Sequence, residues 1–427
     1  MVDFLISYGH KTLPEAIEYL ENYKVDEKVE EFINNSYIQT TGNLPTLENS
    51  YPKLATEEEL RSQAQVEVNF VERIYQVCNF FSRYFISLLT NNSPAGQYLQ
   101  KRGITSDIAQ KFQIGASPSG WDNGVKIALQ HSFNENELLA ADVAIKSKRG
   151  SLIDRFKERL IFTICDMDGR PVGFSARVLE AKAAFGGKYV NTSETCVFKK
   201  GSLLYAHHLA KMEMRKTNTA ILCEGQMDVI AFHRANICNA VAPLGTAFTS
   251  EQAKLLVRDS QKIIIAFDGD GAGQKAFLRA LEILLPLTSN IYALVFPNGQ
   301  DPDEIFTAMG PKGLQDIVDN AIDWVDRLGQ MLPEMYNFNS PVERGQAANK
   351  AATYLSLVEN QDTLIGFIAR FAKSLEVSEN VLTSAVNDQR NKLNNREFWS
   401  SNSNSVEDSA TSLQLEIIPK KEDTLSN

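Results

Sequence analysis

The sequence predicts a chain of mixed α/β and α+β class, with an open parallel α/β sheet flanked by an N-terminal α+β subdomain and a C-terminal helical subdomain. Three observations predict it. From Ala220 onward, short apolar runs of strand character alternate with helical patterns, and that alternation builds parallel βαβ units. Upstream, between Tyr98 and Leu222, short helices mix with strand-like runs such as Leu160 to Cys165 and Pro171 to Val178 without the same rhythm. Downstream of Asp303 the pattern is mostly helical to Leu393.

At 427 residues the chain has room for two or three packed units. Residues 1–35 carry two amphipathic patterns, Val2 to Ser7 and Leu13 to Tyr23, with Pro14 suited to a first helical turn. Polar composition with Pro45 and Pro52 makes 36–56 a linker. A long helical pattern from Glu57 to Asn91 opens the N-terminal subdomain, 57–218. The α/β unit, 219–310, places strands at Ala220 to Cys223, Ala240 to Pro243, Lys262 to Phe267 and Ile291 to Phe296. Helices between them cover Val229 to Ala235, Ser250 to Asp259 and Gln274 to Leu285, the second fixed by a capping box of Thr249 and Gln252. Residues 311–395 form the helical subdomain, and the Ser-, Asn-, Asp- and Glu-rich stretch 396–427 is expected to be a disordered tail.

Composition narrows the function. With 43% hydrophobic and 22% charged residues the chain reads as a soluble globular protein, and no apolar run approaches the roughly 18 residues of a membrane span. The start, Met-Val-Asp-Phe-Leu-Ile-Ser, lacks the basic segment of a secretory signal, so a cytoplasmic monomer without membrane contact is expected. Cys78, Cys165, Cys196, Cys223 and Cys238 are scattered, and neither they nor His10, His131, His207, His208 and His233 have the spacing of a zinc site. The net charge of −10 excludes indiscriminate nucleic-acid coating, but Ala144 to Lys216 holds 15 basic against 7 acidic residues, the local balance a nucleotide or nucleic-acid groove needs.

The acids gather where the chemistry of such sheets sits. Ligands of open α/β sheets bind beyond the carboxyl ends of the strands. There the first strand runs into Glu224-Gly225-Gln226-Met227-Asp228, with Gly225 easing the turn, the third into Asp268-Gly269-Asp270-Gly271-Ala272-Gly273, and the fourth into Asp301-Pro302-Asp303. Six carboxylates at one rim repel one another unless a cation neutralises them, and Mg²⁺ prefers such hard oxygen ligands together with substrate phosphates. Glu224, Asp268 and Asp270 are the candidate catalytic and metal-binding acids, with Asp228, Asp301 and Asp303 as further metal-site residues.

In order and spacing these motifs resemble the TOPRIM domain, the fold shared by bacterial primases, type IA and type II topoisomerases and some nucleases. Within that group the chain resembles bacterial DNA primase, since Leu244-Gly245-Thr246 and the acidic motifs follow its pattern. Upstream, Tyr98 to Ile104, Phe112 to Gly115, Asp154-Arg155-Phe156 with Arg159, Gly173 to Arg177, Lys188 to Asn191 and Phe198 to Gly201 resemble the start and the basic face of its polymerase domain. The chain departs from that pattern at Gln226, where Tyr is usual, at Ser175-Ala176, where Gly-Gly is usual, and at Thr163, where Pro is common.

The resemblance implies short RNA primers made from ribonucleoside triphosphates on a single-stranded DNA template, with Mg²⁺ or Mn²⁺ at the acids. It implies nucleotide or template contacts for Arg102, Arg155, Arg159, Arg177, Lys188, Asn191, Lys199 and Lys200. Bacterial primases also carry a zinc-ribbon domain and a helicase-binding domain. Residues 1–35 look like the segment after the ribbon, but no ribbon cysteines are present, and no helicase-binding domain is expected here. Two other readings share the acids: a TOPRIM nuclease or topoisomerase, for which no nucleophilic tyrosine domain is identified, and an inactive single-strand-binding remnant.

Overall fold

The computed structural model describes residues 57–179, 187–245 and 247–410, with side chains from 66 to 395 apart from Asn298. The expected fragment 1–35, the linker 36–56 and the tail beyond 410 lie outside the described residues. Residues 1–76 and 77–427 are separate compact units. Apart from the first part of helix α1, all that follows concerns the second.

α1 (Glu57–Leu88) enters that unit with Val77, Cys78, Phe81 and Phe85 buried along one stripe, the spacing of a helix laid on a core. Short helices α2 (Pro94–Lys101) and α3 (Ser106–Lys111) follow, capped by the side chains of Ser93 and Thr105. An antiparallel sheet of order β1-β4-β5-β6 comes next, from β1 (Ile114–Ala116), β4 (Arg159–Cys165), β5 (Pro171–Val178) and β6 (Tyr189–Asn191). Every residue of β4 is buried, Arg159 and Thr163 included, so the strand shows no alternation of apolar and polar residues. Phe85, Phe156 and Phe174 meet edge to face under this sheet, and truncating any of them to Ala is expected to cost about 3–5 kcal/mol. Helices α4 (Asn123–Gln130) and α5 (Glu135–Ala140) lead into a ribbon of β2 (Ala144–Lys146) and β3 (Leu152–Asp154).

α6 (His207–Thr217) delivers the chain to the second sheet, whose order is β11-β10-β9-β7-β8. Its parallel part contains β7 (Thr219–Cys223), β8 (Ala240–Val241), β9 (Lys262–Ala266) and β10 (Ile291–Ala293), in the register Ile221↔Ile264 and Cys223↔Ala266. The crossovers are α7 (Gln226–Arg234), α8 (Ser250–Asp259) and α9 (Gly271–Leu284), and the Thr249–Gln252 capping box is present as expected. α10 (Pro302–Asp319) is two helices joined at Gly310, whose φ of +69° and following Pro311 break the ladder.

The sheet is not wholly parallel. β11 (Ile322–Asp323) pairs antiparallel with β10, beyond the expected boundary at 310. Two residues between helices leave no periodicity to detect, so a purely helical reading of this stretch missed it. α11 (Trp324–Met335), α12 (Pro341–Leu355), α13 (Gln361–Ser374) and α14 (Glu379–Ala410) then cover one face of the sheet, sharing its core through Trp324, Tyr354 and Phe371. α14 runs on to Ala410, into the stretch expected to be a tail. No Gly or Pro interrupts that stretch, and the helix propagates. Among the described residues no helix is long and apolar enough to cross a membrane.

Candidate active site

Glu224 directly follows β7, and Asp268 lies two residues beyond the end of β9. Because these strands are parallel neighbours in register, the two acids emerge at one edge, where the backbone N–H of Asp268 donates to Glu224 Oε1 across 2.9 Å. Asp270 caps α9, its Oδ1 accepting from the N–H groups of Ala272 at 2.9 Å and Gly273 at 2.7 Å. Gly273 has no room for a side chain. A Cβ there would lie 2.1 Å from the Asp268 carbonyl oxygen and 2.8 Å from Glu224 Oε1, so the glycine lets α9 start hard against the acidic rim.

Asp228 turns back within α7 and accepts from the N–H of Gly225 at 3.0 Å. Gly225 itself is extended, with φ −143° and ψ 176°, so the turn expected of it needs no glycine. Asp301 caps α10, accepting from the Glu304 N–H at 2.7 Å. The acids feel one another. Burial first, then the charges of Glu224, Asp301 and Asp270, push the Asp268 carboxyl up to about 6. Burial also lifts Asp228 well above the carboxylate range, reinforced by Asp268 and Asp301, and raises Glu224, with Asp270 adding to the effect.

Asp268 Oδ1 is buried without a hydrogen-bond partner. An orphaned carboxylate oxygen among repelling carboxylates is what a divalent cation would satisfy. Among the described residues no group of three or more His, Cys, Asp or Glu side chains is arranged to hold a metal ion. Mg²⁺ and Mn²⁺ do not require one, because they keep several waters and share ligands with phosphates. The feature that fits such an ion is the unpartnered Asp268 oxygen beside the charges of Glu224 and Asp270.

Asp303, expected among the metal acids, is 2% exposed and held by two guanidinium groups, Arg102 Nη1 at 2.5 Å from Oδ2 and Arg234 Nη1 at 3.1 Å from Oδ1. Arg102, expected at nucleotide or template, therefore also has a protein partner. Its other neighbour is the ring of Tyr98, on which Arg177 also stacks, and Arg177 Nη1 donates to the Tyr189 hydroxyl at 2.6 Å. Arg102 and Arg177 are thereby brought together. Lys188 and Lys199 are exposed, and Lys200 is half-buried.

Three expected contacts are committed elsewhere. Arg155 pairs with Asp142 at 3.3 Å. Arg159, 5% exposed, donates to the carbonyls of Ala176 and Gly187, because β4 carries it into the sheet interior. Asn191 Nδ2 donates to Leu244 O at 3.1 Å and packs on Gly245, whose φ of +72° favours glycine. Sequence reasoning missed Arg234, Tyr98 and Trp121. Trp121 is 58% exposed with Lys157 Nζ 3.9 Å above its ring, and only an aromatic beside basic residues hinted at it.

Two family matches divide the chain along these lines. Residues 83–211 match the DNA primase catalytic core, N-terminal domain, and residues 221–306 match the Toprim-like family. A DNA primase domain from Pseudomonas aeruginosa, 31% identical, superposes with a TM-score of 0.66 over 74% of this chain and 99% of that one. The chain belongs to the DNA primase family. The RNA polymerase domain of the Mycobacterium tuberculosis primase, solved with double-stranded DNA bearing a 6-nucleotide overhang, is 30% identical with a TM-score of 0.62, covering 72% of this chain and 98% of that one. DNA primase of Salmonella typhimurium is 32% identical over 349 residues, 80% of this chain and 57% of the relative. The chain spans about half the length of the curated relatives it matches. Within the primase family, then, the acidic rim lies in the Toprim-like part and the Arg102–Arg177 cluster in the catalytic-core part.

Proposed function

We propose that this chain is the polymerising core of a DNA primase, joining ribonucleotides into short RNA primers on a single-stranded DNA template. The observation that carries the reading is the orphaned Asp268 carboxylate oxygen in an acidic rim, within a chain that also holds Arg102 and Arg177 together on the ring of Tyr98. Binding of overhang DNA by the Mycobacterium tuberculosis relative supports the choice of template.

Glu224, Asp268 and Asp270 would hold Mg²⁺ or Mn²⁺, with Asp228 and Asp301 in support. A bound ion would supply Lewis-acid activation of a 3′-hydroxyl and charge neutralisation at the α-phosphate and the departing pyrophosphate. The O3′–phosphorus bond forms as the bond to pyrophosphate breaks. Arg102 and Arg177, with Lys188, Lys199 and Lys200, grip triphosphate and template phosphates, where fixed guanidinium planes are better suited than mobile charges. Trp121 with Lys157 offers an exposed ring on which a template base stacks. As a replication enzyme it would work in the cytoplasm.

Incorporation of labelled ribonucleotides on single-stranded DNA, with Mg²⁺ or with chelator, tests this directly. Template-dependent oligoribonucleotides that vanish with chelator and in Asp268→Ala are expected. DNA cleavage without synthesis would instead favour the nuclease reading.

A further inference from the structure

We infer that Arg234 is a positioning residue and Asp303 its anchor: together they fix Arg102 at the rim, and Asp303 does not ligate the metal. The inference rests on the primase reading above. It starts from a conflict between charge pattern and geometry. Asp303 belongs to the acidic motif Asp301-Pro302-Asp303, yet both its oxygens point to guanidinium groups, and the carboxylate is 2% exposed.

Arg234 has three attachments. It donates through Nη1 to Asp303 and through Nη2 to the carbonyl of Gly103 at 3.0 Å, while its plane lies 4.1 Å from the centre of the Phe306 ring. It is only 9% exposed, so it cannot leave for a phosphate without stranding a buried carboxylate. Gly103 follows Arg102 immediately. Thus α7 and α10 of the Toprim-like part hold the residue after Arg102 by its carbonyl and Arg102 itself by its guanidinium.

From Arg102 the contacts continue through the ring of Tyr98, 5.6 Å from Arg102 and 5.4 Å from Arg177, and on to Tyr189. A carboxylate, two arginines and two tyrosines therefore form one ladder from the end of the acidic motif to β5 and β6. A ladder of planar groups has few soft torsions between rungs, so it fixes the separation of the phosphate-gripping arginines from the metal acids. A metal taking Asp303 would have to break it.

The test compares Arg234→Met, Asp303→Asn and Asp268→Asn in the full chain. Direct Mn²⁺ titration by calorimetry or electron paramagnetic resonance is one readout, and steady-state kinetics with ribonucleotides is the other. Expected for Arg234→Met and Asp303→Asn is Mn²⁺ affinity within about twofold of the parent, against a loss of roughly tenfold or more for Asp268→Asn. In the same two variants KM for the nucleotide should rise about tenfold while kcat stays within a factor of about three, the signature of lost ground-state and transition-state grip alike. Arg234→Lys, which keeps the charge but cannot bridge Asp303 and Gly103 together, should fall between parent and Arg234→Met, and it serves if Arg234→Met does not fold. If Asp303→Asn loses Mn²⁺ as Asp268→Asn does, or if KM is unmoved in the Arg234 variants, the inference fails. A parent that binds Mn²⁺ but makes no primers would overturn the primase reading instead, leaving the titration to decide the role of Asp303.

Discussion

Gln226 Nε2 donates a hydrogen bond to Ser175 Oγ across 3.2 Å, joining α7 to β5 where both side chains are buried, at 6% and 0% exposure. These are two of the positions at which the sequence departs from the bacterial primase pattern, and the structure makes them partners. Ser175→Ala alone should cost about 1–3 kcal/mol by leaving a buried amide unpaired. Ser175→Ala with Gln226→Met should cost less than the sum of the single changes, with a coupling of about 0.5–3 kcal/mol in denaturant unfolding. Strict additivity would show that the hydrogen bond contributes nothing.

Removing the charge of Asp268 should separate stability from activity. Its folded-state value near 6 lies above the ordinary 3.8, so the native state holds its proton more tightly than the unfolded chain between those limits. Without metal, stability therefore falls as pH rises through that window. Asp268→Asn should abolish primer synthesis yet melt at a higher temperature than the parent in chelator at pH 7, the two melting points converging near pH 4. A variant less stable than the parent in chelator at pH 7 would contradict the repulsion argued for the rim.

Acid stability should depend on two histidines. His233 and His208 are lowered to about 4 from an ordinary 6.5, chiefly by burial. His233 donates from Nε2 to the Ala240 carbonyl, leaving Nδ1 buried and unpartnered, so protonation there would bury an unmatched charge. The unfolded chain binds more protons between pH 4 and 6.5, so stability rises with pH across that interval, by up to about 1.4 kcal/mol per pH unit for each histidine. His233→Gln, which keeps a donor for Ala240, should flatten the dependence measured by chemical denaturation. An unchanged slope would remove His233 from the account.

Template binding should divide into stacking and charge. Trp121→Ala should weaken binding of a fluorescent single-stranded oligonucleotide by about 1–3 kcal/mol with little change in salt dependence. Lys188→Gln or Lys199→Gln should reduce the slope of log affinity against log salt by about 0.7 each. Equal salt slopes in all three variants would mean that these lysines meet no phosphate.

What the sequence made legible was local. The run Ile263-Ile264-Ile265 announces a strand buried on both faces, the Thr249–Gln252 box marks a helix start, and acids just past β7 and β9 must share an edge once those strands are parallel neighbours. What stayed hidden depends on distant partners. Asp303 looks like its neighbour Asp301, and only the arrival of Arg102 from 201 residues away, with Arg234 from 69, distinguishes them. Charge alone likewise could not say that Arg159 would meet carbonyls inside a sheet while Arg177 would lie between tyrosines.

The five-stranded sheet ends on each side in a strand only two residues long, β8 and β11. Asp323 on the outer one caps α11 and pairs with Arg370 at 3.3 Å, so a charge and a helix start occupy the margin. A stray extended peptide finds too few free amides there to dock, which protects the molecule against edge-to-edge aggregation. The longer apolar strands that support the acidic rim are thus kept in the middle, where they cannot recruit another copy.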